Sequence, residues 1–434
     1  MAGVNLMKRT MGLAAAFLSV SLTAQARQEA PKVEQSKVDE AIKKGVGWLK
    51  KLTQDHLIRG EGFGGQRQNC ELVLWTYVHA YPDILPTDPE FKTLLDDMLK
   101  RPLEQTYCVA LQAMILEELH RVDYHARLKQ CAQFLVDNQC ANGQWSYGEP
   151  TAFAQETPAP KGVATQGKEA REFQDPAARG PKPAVKTRAR VEVRRHGPAW
   201  GDNSNSQYAA LGMRACYDAG IQIPAAVTDK AIDGYRKSQK PGEGPPIKIE
   251  MKDPAAPAPG KTAVAPVYAA EPQGWCYEGH SGHGDHKAYG SMSAGSVGSL
   301  AIWLYIKDDD WGKAESRLKR SWRKDKDVLE GMAWLAKNFS VTCNPGPYEH
   351  DNNAMNSPHQ HRYYLYALER AGMLYGTERI GSHDWYEEGA KVLVESQRGD
   401  GAWGNTADTC FAILFLRRAT QPLVASVDRV NRKP

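Results

Sequence analysis

The sequence has no surplus of charge of either sign, with 55 Lys and Arg against 51 Asp and Glu among 434 residues. A chain that grips nucleic acid through its phosphates presents a basic field, so no nucleic-acid partner is expected. Cysteine is sparse as well: eight residues, scattered, far below the density of a disulfide-stapled fold. Cys70, Cys108, Cys131, Cys216 and Cys410 fall at apolar positions of helical runs and are expected to be buried thiols. Cys140 and Cys343 sit in connecting segments, where nothing local assigns them a role. Past residue 26 no apolar run reaches the roughly 20 residues that a membrane-spanning helix needs, so no transmembrane helix is expected there. The apolar run from Met11 to Leu22 follows Lys8 and Arg9 and precedes Ala24-Gln25-Ala26. That is the layout of a secretory signal, residues 1–26, and it predicts an exported protein, periplasmic or secreted. The alternative is the same segment retained as an N-terminal anchor.

What the sequence does have is helical periodicity. Apolar residues recur at three- and four-residue spacing over 38–53, 108–119, 128–138, 206–217, 328–339 and 386–396. No comparably clear alternating strand pattern appears. The helical runs are of two kinds. One is amphipathic with a charged face, as at 229–239; the other is small and apolar on most sides, as at 291–306. The first kind suits an outer layer and the second an inner one. Outer helices are expected near 38, 90, 126, 228, 327 and 384, and inner helices near 69, 105, 204, 291, 358 and 407. Six and six in alternation predict an all-α fold, an (α/α)6 toroid over 38–418, with an open helical solenoid as the alternative. Two Pro/Ala-rich stretches, a basic one at 149–197 and another at 240–272, hold too few large apolar side chains to offset the entropy of ordering themselves, and read as flexible insertions.

A junction recurs where outer helices end. It reads Gln139-Cys140-Ala141-Asn142-Gly143-Gln144-Trp145, then Gln397-Arg398-Gly399-Asp400-Gly401-Ala402-Trp403, and, split by the second insertion, Gln239 with Gly274-Trp275. Gly permits a left-handed exit from a helix, Gln can bond helix-end backbone groups, and Trp can pack across the neighbouring hairpin. These Gln-x(3)-Gly-x-Trp junctions resemble the repeats of the squalene-hopene cyclase and protein prenyltransferase superfamily. Gly201 to Tyr208, Gly290 to Ala294, and Tyr363 to Tyr366 with His383 to Tyr386 further resemble a bacterial group of exported proteins that carry these repeats and have no assigned reaction. The resemblance implies the toroid and, by analogy, an isoprenoid or other lipid-like ligand in a central pocket. It does not by itself imply a reaction.

Class II terpene cyclases protonate an alkene with an Asp-x-Asp-Asp motif. Its best match here is Asn405-Thr406-Ala407-Asp408, with Ala407 where the proton donor belongs. Asp408 survives and is equally suited to cap an inner helix. Protonation-type cyclase chemistry is therefore not expected. The zinc ligands of protein prenyltransferases have no counterpart segment. Trp275-Cys276-Tyr277-Glu278-Gly279 is similar to a zinc-ligand context of lantibiotic cyclases, without their paired Cys-His-Gly motif. The densest local set of donors is Cys276, His280, His283 and His286, with Asp285 among them. It reads either as a zinc site or as a Gly/His-rich surface loop. His350, Asp351, His359 and His361 form a second cluster before an inner helix.

Both insertions and the His-rich loop connect an outer helix to the next inner one, so all lie at the end where inner helices begin. Converging helix N-termini favour an anionic or strongly polar group. Asp202, Asn203, Ser204, Ser291, His286, His359 and His361 are candidates for that mouth, as caps or as ligand contacts. Tyr208 and Tyr363, with Met213, Met292, Trp303, Tyr364 and Tyr366, are candidates for an inner wall. Asp202, His286 and Asp408 are the candidates for catalysis. Three functional readings stand: a lipid-like ligand bound or processed in the pocket, a polysaccharide-lyase-type enzyme using Tyr and His, and a non-catalytic envelope scaffold whose basic insertion contacts an anionic polymer.

Overall fold

The structure, a computed structural model, describes residues 32–55, 68–151, 185, 187–242, 244–250, 267–277, 287–308, 321–348, 351–357 and 360–423. The expected signal at 1–26 and most of both insertions lie outside the described residues.

The chain is mostly helical. Twelve α-helices run through the described residues: α1 (Gln35–Gln54), α2 (Gln68–His79), α3 (Pro89–Lys100), α4 (Thr106–His120), α5 (His125–Asp137), α6 (Asn203–Asp218), α7 (Ala225–Ser238), α8 (Gly290–Lys307), α9 (Lys326–Lys337), α10 (His361–Tyr375), α11 (Trp385–Ser396) and α12 (Thr406–Arg417). Each begins at or near an expected position. The even-numbered helices touch in series: α2 on α4, α4 on α6, α6 on α8, α8 on α10, α10 on α12, and α12 on α2. The odd-numbered helices pack against these, and α1 lies on both α11 and α12. Burial follows the two sequence classes. Every residue of α4 from Thr106 to Leu119 is buried, whereas α1 buries one stripe of Val38, Ala41, Ile42, Gly45, Val46, Leu49 and Thr53. Small residues let the inner helices approach closely. A Cβ on Gly295 of α8 would collide with the Gln207 side chain of α6. No helix among the described residues is long and apolar enough to cross a membrane.

The recurring junction is one hydrogen-bonded clasp built three times. The Trp indole N–H donates to a carbonyl near the end of its own outer helix: Trp145 to Leu135 at 2.7 Å, Trp275 to Tyr235 at 2.8 Å and Trp403 to Leu393 at 2.7 Å. The backbone N–H of the same Trp donates to a hydroxyl on the fourth residue of the following inner helix, Ser206, Ser293 or Thr409. The Gln side chain reaches the next outer helix, with Nε2 donating to Val227 at 2.9 Å from Gln139, to Asp327 at 3.0 Å from Gln239, and to Ala41 at 2.8 Å from Gln397. Gly143 and Gly401 hold φ near +87° and +95°, and a Cβ at either would meet a carbonyl of that same next helix, Lys230 or Lys44.

Strands, which the sequence pattern did not announce, form four two-stranded ladders. β1 (Ala189–Arg190) pairs in parallel with β2 (Ile221–Gln222). β3 (Ile247–Glu250) with β4 (Val267–Ala270), β5 (Asn344–Tyr348) with β6 (Asp351–Ser357), and β7 (Arg379–Ile380) with β8 (His383–Asp384) are antiparallel. β1, β2, β7 and β8, at two residues each, are too brief for a period of two to be read. The described end of the first insertion runs along α5. Gln133 bonds the Glu192 backbone in both directions, and the Arg194 N–H donates to Asp137 at 2.9 Å.

At the C-terminal ends of the inner helices, Arg417 of α12 bonds Asp83 beyond α2, and Tyr305 of α8 donates to Asp218 of α6. The segment after α12 crosses this end. Thr420 bonds Glu369 of α10, and the carbonyls of Gln421 and Pro422 accept from Arg214 of α6.

Candidate functional site

Several sequence-predicted residues are fasteners of the inner-helix N-termini. Asp202 is the N-cap of α6: its Oδ1 accepts the Asn205 backbone N–H at 2.7 Å and its Oδ2 the Asn205 side-chain amide at 2.8 Å. Asn203 ties two connections together, donating to the Cys276 carbonyl at 2.8 Å and accepting from Gln144 at 2.8 Å. Ser291, at the start of α8, is held by Asn344 at both its backbone N–H (2.8 Å) and its hydroxyl (3.1 Å). Asp408 forms a capping box with Asn405 at the start of α12, and burial pushes its carboxyl up. His361 places Nε2 at 2.8 Å from the Val341 carbonyl; burial pushes its imidazole down to about 4, so at neutral pH it is uncharged and donates.

Ser204, Tyr208 and Tyr363 are brought together with residues that sequence reasoning missed. The Ser204 hydroxyl bonds the hydroxyl of Tyr107 in the first turn of α4 and lies 3.1 Å from that of Tyr363 in the first turn of α10. These contacts put the N-termini of α4, α6 and α10 at one end. From Tyr363 the chain of polar groups continues inward. Gln207 donates to the Tyr363 hydroxyl at 2.5 Å, and its Oε1 accepts from Nη2 of Arg370 at 2.5 Å. The Arg370 guanidinium carbon lies 4.4 Å from the Tyr366 ring centroid and 5.4 Å from that of Tyr208. Trp75 of α2 donates to the Tyr366 hydroxyl at 3.1 Å, and Phe411 of α12 packs on Tyr363 and Tyr366.

Helical spacing builds this column. Tyr363, Tyr366 and Arg370 recur at three and four residues, hence on one face of α10. Long helical side chains lean toward the helix N-terminus, which brings Arg370 back to the level of Tyr366. Tyr364, one step round, faces elsewhere and donates to the Ser340 carbonyl at 3.0 Å. Trp303 stacks on Trp145 at the clasp. Of the expected inner wall, then, Tyr208, Tyr363 and Tyr366 meet at the column, while Tyr364 and Trp303 serve other contacts. A sequence signal for Arg370 existed: a charged residue on the same helical face as two tyrosines in a helix otherwise read as buried.

Burial pushes the hydroxyls of Tyr107, Tyr208, Tyr363 and Tyr366 up, with the Arg370 charge opposing it at the last three. All four stay protonated at neutral pH and act as neutral donors, while the guanidinium stays charged. The buried carboxylate of Glu369 adds its charge to the surroundings of Arg370. Glu369 is also bonded to the Thr420 N–H at 3.0 Å and hydroxyl at 2.6 Å.

Above the column, at the helix starts, the Thr106 N–H donates to the Tyr147 carbonyl and the Asn203 N–H to that of Tyr277. The hydroxyls of Tyr147 and Tyr277 lie 3.1 Å apart. Tyr147 is 48% exposed and Trp200, just before Gly201, is 56% exposed. A second buried polar group sits at the start of α2, where Glu71 pairs with Arg101 at 3.3 Å. Burial pushes the Glu71 carboxyl up against the pull of that guanidinium.

Of the possible zinc ligands, Cys276 is buried, while His280, His283 and His286 lie outside the described residues, as do His350 and His359. Asp351 opens β6. Among the described residues no three His, Cys, Asp or Glu side chains assemble to hold a metal ion. All eight cysteines are free thiols, and burial pushes Cys131 and Cys410 up to about 12, where a thiol is unreactive. Compared with protein-family models and with curated proteins, the chain matches none.

Proposed function

We propose that the twelve helices form an (α/α)6 toroid of the squalene-hopene cyclase and prenyltransferase repeat type, in an exported protein that binds a lipid-like ligand of isoprenoid class without transforming it. The contact series from α2 through α12 back to α2, with the Gln397 bond to α1, supports the closed arrangement over an open solenoid. The observation that carries the ligand reading is the group of hydroxyls of Tyr107, Ser204 and Tyr363 at the inner-helix N-termini, with the Tyr147–Tyr277 pair at the same helix starts. Neutral hydroxyl donors suit the polar head of an amphiphile, and the exposed aromatic rings of Tyr147 and Trp200 suit its apolar body. The ligand reaches these hydroxyls from the exposed Tyr147 and Trp200 and goes no deeper, because Tyr208 and Tyr366 are buried.

Binding without reaction is supported by the groups present among the described residues. Ala407 stands where a cyclase acid belongs, and Asp408 is engaged in its capping box. A lyase reading needs a base, whereas the column phenols are held protonated and His361 is committed to Val341. The test is titration of the purified protein with farnesol, followed by tryptophan fluorescence, with organic extraction and mass spectrometry of the protein as isolated. A saturable fluorescence change that Tyr147→Ala and Trp200→Ala weaken is expected. No change with farnesol, together with an extract free of hydrophobic compounds, would refute the reading.

A further inference from the structure

The described end of the first insertion, from Arg188 to Trp200, is an extended strap laid along α5. Bonds hold its course: Ala189 pairs with Ile221, Glu192 with Gln133, and the Arg194 N–H with Asp137, while the Pro198 and Ala199 carbonyls accept from Ala141 and Asn142. Alternate side chains of an extended segment share a face. Val191 is buried and Arg195 is bonded to Glu149 and Asn138, whereas Arg190, Glu192, Arg194 and His196 are all exposed. Among the described residues neither Arg190 nor Arg194 has an ion-pair partner. Lys129, one turn before Gln133 on the same face of α5, adds a further cation, and Arg188 lies over the Tyr217 ring at 5.4 Å. In the exposed row the one negative charge is Glu192. Apolar surface borders these charges, with Val193 40% and Trp200 56% exposed. Cations edged by aliphatic and indole surface suit a bilayer interface, where charge meets anionic headgroups and apolar groups enter the acyl boundary. A hydrated anionic polymer would gain nothing from the valine.

We propose that this strap docks the protein on a lipid bilayer surface carrying anionic headgroups. Co-sedimentation of the full chain with phosphatidylcholine vesicles, with and without phosphatidylglycerol, tests it. Binding is expected only where phosphatidylglycerol is present, and it is lost at high salt, which screens exposed charges. Arg190→Gln combined with Arg194→Gln should weaken partitioning about 30-fold, the effect of removing two basic side chains from an anionic surface. Lys92→Gln combined with Lys391→Gln makes the same change of charge at exposed sites elsewhere and should bind as the wild type does. Val193→Ser should weaken vesicle binding as well, which a purely ionic contact would not show. Binding that ignores phosphatidylglycerol, equal losses in the two double variants, or an unaffected Val193→Ser overturns the proposal. So does retention on soluble dextran sulfate without any on vesicles, the outcome expected of an anionic-polymer partner. Should the arginine variant misfold, the lipid dependence of the wild type and the Val193→Ser result decide. The vesicles contain no isoprenoid, and Arg190 and Arg194 lie outside the proposed ligand contacts, so a failure here leaves the farnesol result standing, and the reverse.

Discussion

His361 stands at the first position of α10 with its imidazole buried against the Val341 carbonyl. Its folded pKa, near 4, lies below the 6.5 of an exposed histidine, so between these values the unfolded chain binds the extra proton. The neutral imidazole therefore contributes full stability above pH 6.5, and that contribution falls away as pH drops toward 4, by about 3 kcal/mol over the window. Urea unfolding at several pH values should reveal this loss in the wild type and a smaller one in His361→Gln; parallel curves would contradict it. Asn405→Ala should cost about 1 kcal/mol through the capping box of α12, measurable by the same denaturation. At this scale the caps were legible, because Asp202 and Asp408 are local devices whose partners lie three residues away. Arg370 was legible only as a charge on the tyrosine face of α10; its partners were not, since they come from other helices and no window of sequence contains them together.

The clasp is a device of elements. Its Gln, Gly and Trp could be read as a recurring junction, but their partners could not: the Gln donates to a helix that begins up to ninety residues later or, for Gln397, to α1. Removing the side-chain amide strands two carbonyls, so Gln139→Leu should destabilise by about 1–3 kcal/mol. Gln397→Leu should cost a comparable amount if α11 meets α1 in solution as it does here, and clearly less if the helix series is open, where only its bond to the Gly401 carbonyl of its own junction is lost. Equilibrium denaturation of both variants compares them. The helices themselves were legible from periodicity because each presents a long, consistent face. The β ladders were not: four of the strands are two residues long, and β1 pairs with a strand in a different connection, Ala189 with Ile221.

At the scale of the molecule, the alternation of charged and apolar helices anticipated two helix populations, and burial separates them as expected. What the alternation could not decide is whether the series closes, since a solenoid and a toroid ask the same of each hairpin. The proposed closure is supported by long-range contacts: α12 with α2, Arg417 with Asp83, and Gln397 with Ala41. The polar column depends on the same meeting of chain ends, since Trp75 of α2 and Phe411 of α12 reach one tyrosine, Tyr366, from opposite ends of the sequence. The most direct test is a spin-label distance between exposed positions of α1 and of the junction after α11, with labels at Lys43→Cys and Gly399→Cys in a Cys343→Ser background, the other cysteines being buried. One narrow, short distance is expected, set by neighbouring helices about 10 Å apart. A distribution centred several helix diameters further out, on the order of 50 Å for five successive steps of about 10 Å, would contradict the closed arrangement.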